Sequence, residues 1–600
     1  MTMRIWLWIS AVLLCASAGV AQGPVFTQED LQTIPYEDFS DILRRFPGSY
    51  PLDYGTLGAP LFMWPWQEHP WLLRVEKDGI PQNRKYDGLY DPNLQPLGEI
   101  SRAEYVVLSG DPLGTVHLAS RQMPVDSPYT EFQIREGFHG FGIVDFAHGQ
   151  RVYRSLTMEI TGRLGWYNGL RYLSASRFNR VRGKIGLDLG RKWRSELTYA
   201  GSNVESEFPP TTGGSDTERE EGILAFHRTD SASTRLVPRL QLFLRQDRES
   251  WGNPFRAWEQ TIGYVGEMRV HFPRHSVELR QTTFHTRMEF PTDTTNGADA
   301  SGDPQSELTL DLQVADSVDL ERIGIRLWAG LRRAAEDADR QNGSVALPRC
   351  GVEFHSRPIY NVSVHGGTQY AEESVPLAWR TAHYLIGDRP LLVAPSVFSD
   401  PNRTFMGSNT KIGDVDRYVT SSVGWLWRAD NTFVDVTGIA IHKPGDFENR
   451  FVQSETGVDL VRERKTTQAA KLGVAATASV PIRYGLRVDS WWFWQAQNND
   501  FADLADWRGY TRLYFERNFF HAPLTIRSHI SYEEIGQRAA YSDRGSGYLG
   551  PNRLIGFRIS ATVRGVTLIW GTENFFKERY AMLPGYTMIR KEEYLAFVWR

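Results

Sequence analysis

The segment Glu307–Val314, which reads ELTLDLQV, decides the fold class because its apolar side chains occupy every second position. Successive side chains of a β-strand point to opposite faces, so this strand has one apolar and one polar face. The same alternation recurs from about residue 129 onward, for example in 323–331, 524–531 and 555–563. The sequence therefore predicts a series of strands that each separate an apolar from a polar medium.

The number and connection of these strands favour an outer-membrane barrel over a soluble β-sandwich, which would show the same alternation. Segmentation of residues 129–600 gives about 22 strands, and bacterial single-chain barrels have an even number. Tight connections are predicted near 149–151, 190–192, 272–274, 429–431, 481–483 and 564–565. Long connections fall between them, near 163–179, 203–220, 288–305, 371–415, 443–466 and 533–551. Short periplasmic turns opposite long outer loops are typical of outer-membrane barrels.

Aromatic and charged residues support the same interpretation. Aromatic residues cluster in runs such as Trp491–Trp494, where a bilayer interface favours them. Arg and Lys on the polar faces alternate with Asp and Glu, and we expect most of them to pair in a wet lumen. At the C-terminus, Leu595, Phe597 and Trp599 form the predicted closing strand. We therefore predict an all-β transmembrane barrel of about 20–22 antiparallel strands over residues 129–600.

Residues 1–21 have the pattern of a secretory signal peptide, with Arg4, an apolar run over 5–15 and small residues before the cleavage site. The run is too short for a membrane-spanning helix, which needs about 20 apolar residues. Removal of this segment takes Cys15 with it and leaves only Cys350, so no intramolecular disulfide is expected. The predicted location is the bacterial outer membrane, with outer-membrane lipid and the barrel-assembly machinery as partners.

The composition argues against several other functions. The 600 residues carry a formal net charge of −4 and a mean hydropathy of −0.40. These values fit neither a polytopic helical membrane protein nor a basic nucleic-acid-binding protein. The sequence has no nucleotide-binding glycine loop, no zinc-protease motif and no serine-hydrolase motif, so we predict no enzyme and no cofactor. The polar loop 293–303 lacks the spacing of a calcium loop, so no metal site is predicted.

Residues 26–124 differ from the barrel and predict a small N-terminal α+β domain. A helix is predicted over Glu29–Phe46, ended by the Pro-Gly pair that follows it. Short strands are predicted over Trp71–Lys77 and Glu104–Leu108, each followed by a turn rich in Gly, Asp and Pro. The segment is long enough to form a domain of its own.

Three motifs of this domain, in order along the chain, resemble the plug domain of TonB-dependent outer-membrane receptors. They read ILRRFPG at 42–48, LLRVEKDGIP at 72–81 and ISRAEYVVLSGDP at 100–112. The plug-motif residues identified in this way are Leu43, Arg44, Arg45, Pro47, Gly48, Asp78, Gly79, Pro81, Glu104, Gly110 and Pro112. Residues 574–586 are similar to the last loop of the family, so the resemblance extends over nearly the whole exported chain.

The resemblance implies a 22-stranded barrel with the plug inside it, and uptake of a scarce solute energised by a TonB-type coupling protein. The plug is reduced and divergent, because residues 59–66 replace the family's usual central strand. No coupling box is evident before the predicted helix. Too few residues precede the helix to form both a coupling box and a spacer, since each extended residue spans only about 3.5 Å. These departures argue against a TonB-type partner without excluding one.

The segment 62–71 is unusual because it contains Trp64, Trp66 and Trp71. Exposed rings at these positions would stack on a ligand or narrow the pore. Buried rings would instead belong to the plug core or to its contact with the barrel wall, which is the commoner arrangement for large aromatic side chains.

The favoured hypothesis is a receptor-like transport protein that takes up an unidentified small solute through a plugged barrel. A passive porin of the same architecture is the first alternative, favoured by the missing coupling box. A non-transporting surface protein is the second. The long loops 371–415 and 443–466 are the predicted recognition surface, and no nucleic-acid partner is expected.

Overall fold

The structure, a computed structural model, describes residues 22–600 except for short internal segments. These segments are 34–38, 53–61, 66–71, 86–87, 138–139, 169–174, 191, 208–213, 230–234, 252–254, 290–304, 337–342, 375–414, 444–447, 455–456, 464–468, 498–506, 520–523, 543–544, 584–585 and 589–592. The predicted signal peptide, the loop 293–303 and most of the loop 371–415 lie outside the described residues. Trp66, Trp71 and the side chain of Trp64 lie outside them too.

The N-terminal part of the chain forms a small mixed sheet with two short helices. Its elements are β1 (Gln22–Thr27), α1 (Gln28–Thr33), α2 (Ser40–Leu43), β2 (Ser49–Leu52), β3 (Phe62–Pro65), β4 (Arg74–Lys77), β5 (Ile80–Pro81), β6 (Ile100–Val106) and β7 (Thr115–Ser120). The sheet order is β1-β6-β7-β4-β5, with β4 and β7 parallel and the other neighbours antiparallel. Strands β2 and β3 form a separate hairpin. Two 3₁₀ turns, Pro92–Leu94 and Leu97–Glu99, precede β6.

The helix predicted over Glu29–Phe46 corresponds to α1 and α2, which lie on either side of the segment 34–38. The chain turns at Gly48, whose φ of 69° is readily adopted only by glycine. The predicted strands exist with shifted ends, as β4 begins at Arg74 and β6 runs from Ile100 to Val106. The plug core includes Leu43 and the stacked rings of Phe46 and Tyr105, whose centroids are 5.6 Å apart.

The remainder of the chain forms a closed antiparallel barrel of 22 strands. The strands are β8 (Tyr129–Gly137), β9 (Gly142–Tyr153), β10 (Leu156–Tyr167), β11 (Ser176–Leu189), β12 (Trp193–Ser206), β13 (Ser215–Arg228), β14 (Leu236–Trp251), β15 (Phe255–His271), β16 (His275–Glu289), β17 (Gln305–Leu320), β18 (Ile323–Glu336), β19 (Gly343–Ser356), β20 (Val362–Ser374), β21 (Val415–Ala429), β22 (Thr432–Lys443), β25 (Ala469–Pro481), β26 (Leu486–Gln497), β27 (Trp507–Phe519), β28 (Leu524–Ile535), β31 (Asn552–Val563), β32 (Val566–Thr572) and β35 (Tyr594–Trp599). Three hairpins, β23–β24 (Glu448–Ser454, Gly457–Glu463), β29–β30 (Arg538–Ser542, Gly545–Leu549) and β33–β34 (Tyr580–Leu583, Tyr586–Met588), lie in the long connections.

Strand β35 pairs with β8 and closes the barrel, with Phe597 opposite Ile134. Leu595, Phe597 and Trp599 point outward, whereas the side chains between them are buried. The six predicted long connections lie between tight ones, whereas the connection between β14 and β15, on the same side of the barrel, is short. One predicted turn is wrong, because β9 continues through 149–151 to Tyr153 and the turn lies at 154–155. The polar residues His148 and Gln150 interrupt the outer apolar face there, which mimics a turn in the sequence.

The two faces of the strands follow the predicted alternation. In β17, Leu308, Leu310 and Leu312 are exposed on the outer face, and Thr309 is buried on the inner face. The Trp491–Trp494 run only partly meets the expectation of an interfacial cluster. Trp494 is exposed on the outside, but Trp491 belongs to the core that the plug shares with the wall. Among the described residues, no helix is long and apolar enough to cross a membrane.

The plug lies inside the barrel. Its side chains and backbone contact strands from all around the wall, including β11 at Arg180, β16 at Arg280, β20 at Gln369 and β28 at Glu533. The shared hydrophobic core joins plug residues to wall residues on β21, β22, β25 and β26. A folded domain therefore lies in the lumen and is attached to the wall on several sides.

Candidate functional site

The turn between β4 and β5 contains three predicted plug-motif residues and is held by barrel arginines. The carbonyl oxygens of Asp78, Gly79 and Pro81 accept hydrogen bonds from Arg239, Arg280 and Arg245, at 2.9, 2.7 and 2.7 Å. These arginines come from strands β14 and β16. Hydrogen bonds from a charged donor are stronger than neutral ones, so this turn is a firm point of attachment.

The geometry of this turn explains its Asp-Gly sequence. Asp78 and Gly79 both have positive φ values, 52° and 87°, which Asp and Gly tolerate best. The carboxylate of Asp78 also accepts a hydrogen bond from the backbone N–H of Ser120 at 2.9 Å. The two residues thus expose their carbonyl oxygens toward the wall while the turn stays tied to β7.

The segment after β6 forms a second attachment, centred on Gln369 of β20. Its side-chain oxygen accepts from the backbone N–H of Gly110 at 3.0 Å, and its amide donates to the carbonyls of Val107 and Asp111 at 3.2 and 2.7 Å. The carbonyl of Pro112 accepts from the hydroxyl of Thr420 at 2.7 Å. A single glutamine of the wall therefore forms hydrogen bonds with three backbone groups of the plug.

Asp111 anchors the same segment by charge. Its carboxylate lies 2.8 Å from Arg332, 3.8 Å from Arg349 and 3.9 Å from Arg74. Burial alone would raise the pKa of Asp111, but Arg332 and then Arg349 and Arg74 hold it well below its usual range. The carboxylate therefore stays ionised, as a buried charge with several partners can.

The third attachment is the arginine pair before Gly48. The guanidinium of Arg44 lies 3.4 Å from Glu533 and 3.8 Å from Glu573, both on the barrel side. Arg45 lies over the ring of Tyr510, 4.1 Å from its centroid. Close by, the carbonyl of Ser49 accepts from Arg508 at 2.9 Å. Leu43 is buried in the plug core and does not contribute to this attachment.

Two glutamates complete the contact, the buried Glu99 and the partly buried Glu76. Glu99 lies outside the predicted motifs, and Glu76 lies within the second motif but is not one of its identified residues. Glu99 accepts from Arg180 at 3.0 Å and pairs with Lys77 at 3.3 Å. Glu76 pairs with Arg280 at 2.9 Å. Burial would raise the pKa of both, but the guanidinium partners prevail, so the pKa of Glu99 lies well below its usual range and that of Glu76 falls to about 2.

Other predicted site residues are not brought into this interface. Glu104 pairs with Arg102 of its own strand at 2.9 Å. Pro47 lines a cavity rather than an attachment. Trp64 lies in β3 with its backbone opposite Tyr50, and the proposal that Trp64, Trp66 and Trp71 contact a ligand stays a prediction.

A cavity of about 660 Å³ separates the plug from one side of the wall. It lies between β1 of the plug and strands β21, β22, β25, β26 and β27, with Phe26, Trp491 and Tyr510 among its lining residues. Arg428 and Phe433, on either side of the tight turn 430–431, place it in the periplasmic half. The plug and the wall are therefore not packed against each other across this part of their interface.

Solved structures of similar fold cover almost the whole chain. A ferric enterobactin receptor, PfeA, from Pseudomonas aeruginosa matches with a TM-score of 0.74 and 13% sequence identity, over 97% of this chain and 98% of that one. The siderophore receptor PirA from Acinetobacter baumannii matches with a TM-score of 0.73 and 13% identity, and a structure described as the copper transporter OprC with 0.76 and 13%, over the same shares of each chain. The chain has the plugged-barrel fold of these receptors.

This fold agrees with the resemblance to TonB-dependent receptors that the plug motifs predicted. No protein-family model matches the chain, and no curated protein matches it. At 13% identity the similarity extends to the fold and not to the solute.

The sequence motifs identify the plug side of the interface but not its partners in the wall. Arg245, Gln369 and Glu99 belong to no motif, and their roles depend on which strands face the plug. The alternation does place Arg245 on an inward face, which is the one signal that points to it. Among the described residues, no group of His, Cys, Asp and Glu could hold a metal ion.

Proposed function

We propose that the chain takes up a small solute across the outer membrane, with the plug as the gate of the barrel. The carrying observation is that predicted plug-motif residues on three segments are attached to barrel side chains from different strands. Such attachments support a domain that closes the lumen and that opens it when the domain moves or a segment of it becomes disordered.

The solute class is suggested by the neighbours of similar fold, which are receptors for ferric enterobactin and other siderophores, and a copper transporter. We infer a scarce metal or its chelate for this chain. Because the described residues hold no candidate metal site, such a solute would be recognised by the long loops, most of whose residues lie outside the description.

Energy coupling through a TonB-type partner stays a subsidiary proposal. Residues 22–27 form β1 at the edge of the plug sheet, where they pair with β6. A coupling protein that grips this segment would first have to detach β1. This arrangement supports a partner that pulls on the plug sheet directly. Among the described residues, no unpaired N-terminal segment precedes β1.

A passive channel is the second candidate, favoured by the cavity of about 660 Å³ beside β1. If such a gap continues through the upper half of the lumen, solutes pass without movement of the plug. A surface protein that transports nothing is the third candidate function.

Accumulation of labelled solutes by cells tests the proposal. Cells with and without the full chain are supplied with ferric siderophores or copper salts under metal limitation. We expect saturable accumulation of one solute that depends on the chain and stops when the proton gradient is dissipated. Chain-dependent accumulation without saturation would indicate the passive channel, and no accumulation of any solute would contradict uptake.

A further inference from the structure

Exposed basic side chains follow one another along the periplasmic end of the barrel. Each of five successive connections at this end, from β9–β10 to β17–β18, contains one. The five residues, which together form the basic arc, are Arg154, Lys192, Arg235, Arg274 and Arg322. They lie at the same end as the tight turns 190–192 and 272–274, which is the periplasmic end of a barrel whose long connections lie opposite.

Each residue of the basic arc lies beside a large, exposed apolar side chain at the end of a strand. These apolar side chains are Tyr153, Trp193, Leu236, Phe272 and Leu320, each one or two positions from its basic neighbour. Leu236 continues the outward series of β14 that includes Leu240, and Leu320 continues that of β17. Exposed apolar and aromatic side chains at strand ends mark the edge of the lipid-facing band. The basic arc therefore lies at the level of the lipid headgroups.

The basic arc has an excess of positive charge. None of its five side chains forms an ion pair with a carboxylate in the part of the chain that the structure describes. The other charged groups nearby pair among themselves, as Asp126–Arg151 at 3.3 Å, Asp188–Arg151 at 3.2 Å, Glu278–Arg269 at 2.8 Å and Asp319–Arg357 at 2.9 Å. Glu321, next to Arg322, is the one exposed carboxylate described at these connections that has no ion pair.

This excess is a local feature. The whole chain has a formal net charge of −4. Exposed arginines at the opposite ends of the strands have carboxylate partners, as in the pairs Arg248–Glu218 at 3.1 Å, Arg287–Glu289 at 2.9 Å and Arg553–Glu534 at 2.9 Å. The outer face of the barrel thus carries paired charges at its extracellular end and unpaired cations along the basic arc.

We propose that the basic arc binds the headgroups of anionic phospholipids in the periplasmic leaflet of the outer membrane. Basic side chains at the headgroup level of a bilayer attract anionic lipids. The planar donor groups of arginine also match the oxygens of a phosphate. The arc follows the membrane edge from β9 to β18 with one cation at each connection, which fits a continuous lipid surface better than the single compact patch of a protein partner. The inference goes beyond the proposed uptake function, since it concerns the outer face of the barrel and no transported solute.

The lipid preference of the full mature chain tests this proposal. The chain is reconstituted in phosphatidylcholine bilayers with a trace of spin-labelled phosphatidylglycerol or spin-labelled phosphatidylcholine. Electron paramagnetic resonance then measures the fraction of each label that is immobilised at the protein surface. One basic group favours a neighbouring anionic headgroup by about fivefold. Averaged over all lipid positions around the barrel, we expect phosphatidylglycerol to be enriched about twofold at low salt.

The enrichment should disappear when all five cations of the basic arc are replaced by glutamine. Exposed side chains in turns contribute little to stability, so this combined variant should fold. The matched control replaces five exposed arginines at the extracellular strand ends, Arg248, Arg287, Arg333, Arg417 and Arg553, by glutamine. It changes the net charge by the same amount and should keep the enrichment. Equal loss in the two variants would overturn the proposal, because the total charge and not the arc would then decide the preference.

The wild-type chain alone provides a second test that does not depend on the folding of a variant. Exposed charges are screened by salt, so the enrichment should vanish at about 1 M salt. Enrichment that persists at this salt concentration would overturn the proposal. Equal immobilisation of the two labels at low salt would overturn it as well, and would favour an acidic protein of the periplasm as the partner of the arc.

Discussion

The guanidinium of Arg245 donates to the backbone carbonyl oxygens of Pro81 and Asn83, at 2.7 and 3.0 Å. A side chain of the barrel wall thus holds the main chain of a plug turn. Carbonyl oxygens are present whatever side chains the plug carries. A reduced and divergent plug can therefore stay attached to the barrel, because the side chains that form these hydrogen bonds belong mainly to the wall.

Replacement of Arg245 tests this attachment. Arg245→Met removes the hydrogen-bond donors and leaves Glu259 and Asp247 buried with one partner fewer. We therefore expect the free energy that holds the plug in the barrel to fall by about 3–5 kcal/mol. Planar-bilayer recordings of the variant should show openings that the wild type lacks. Arg248→Met on the same strand is the control, since its ion pair is exposed and contributes at most about 1 kcal/mol. Closed traces from both variants would contradict the role of Arg245.

The conformation of Gly110 gives a second prediction. Its φ is 95°, and a Cβ there would lie 3.3 Å from the ring of Trp328. Gly110→Ala should therefore destabilise the plug by about 1–2 kcal/mol, seen as faster proteolysis of the plug in the intact protein. Gly98→Ala is the matched control, because a Cβ there meets nothing within 4 Å. Equal proteolysis rates for the two variants would show that the loop does not depend on glycine.

Much of the fold follows from the sequence because barrel strands carry their own periodic signal. The outward position of Leu308 and Leu312 follows from alternation alone, as does the closing strand at Phe597. The plug turn at Asp78 and Gly79 was predictable from turn chemistry. These features depend on residues that are close in the sequence.

The remaining features depend on contacts between distant residues. The inward position of Trp491 reverses its expected interfacial role, since it packs against the plug rather than the bilayer. The pairing of Glu99 with Arg180 joins residues 81 positions apart in the chain. No local pattern marks such partners. The predicted lumen pairing of charges does occur, as between Arg194 and Asp188 at 2.9 Å.

The buried carboxylates predict that acid releases the plug. The pKa values of Glu76, Glu99 and Asp111 are lowered in the folded protein, Glu76 to about 2. Groups with a lowered folded pKa contribute stability above their unfolded pKa, and this stability is lost as the pH falls below about 4. Conductance or plug proteolysis should therefore rise in acid. A plug that stays protected down to about pH 2 would contradict the charge-based attachment.

Asp91 predicts the opposite trend at higher pH. Burial raises its pKa to about 6 from 3.8, although Arg84 opposes the shift. Because the pKa of Asp91 is raised by folding, ionisation of Asp91 destabilises the folded state. The free energy of unfolding should therefore increase as the pH falls from about 6 toward 3.8 and Asp91 becomes protonated. Asp91→Asn should raise the thermal stability at pH 7 and flatten its pH dependence in this window. The control is Asp126→Asn, whose side chain is fully exposed. An unchanged pH profile in Asp91→Asn would contradict the assignment.

The most direct test of the central claim, that residues 22–124 form a plug that closes the lumen, is single-channel conductance in a planar bilayer. The full mature chain is compared with a chain that lacks these residues. We predict that the full chain is silent and that the deletion opens a large, stable channel. Equal, large conductance from both chains would contradict the gate and would identify a passive channel that carries an N-terminal domain without a sealing role.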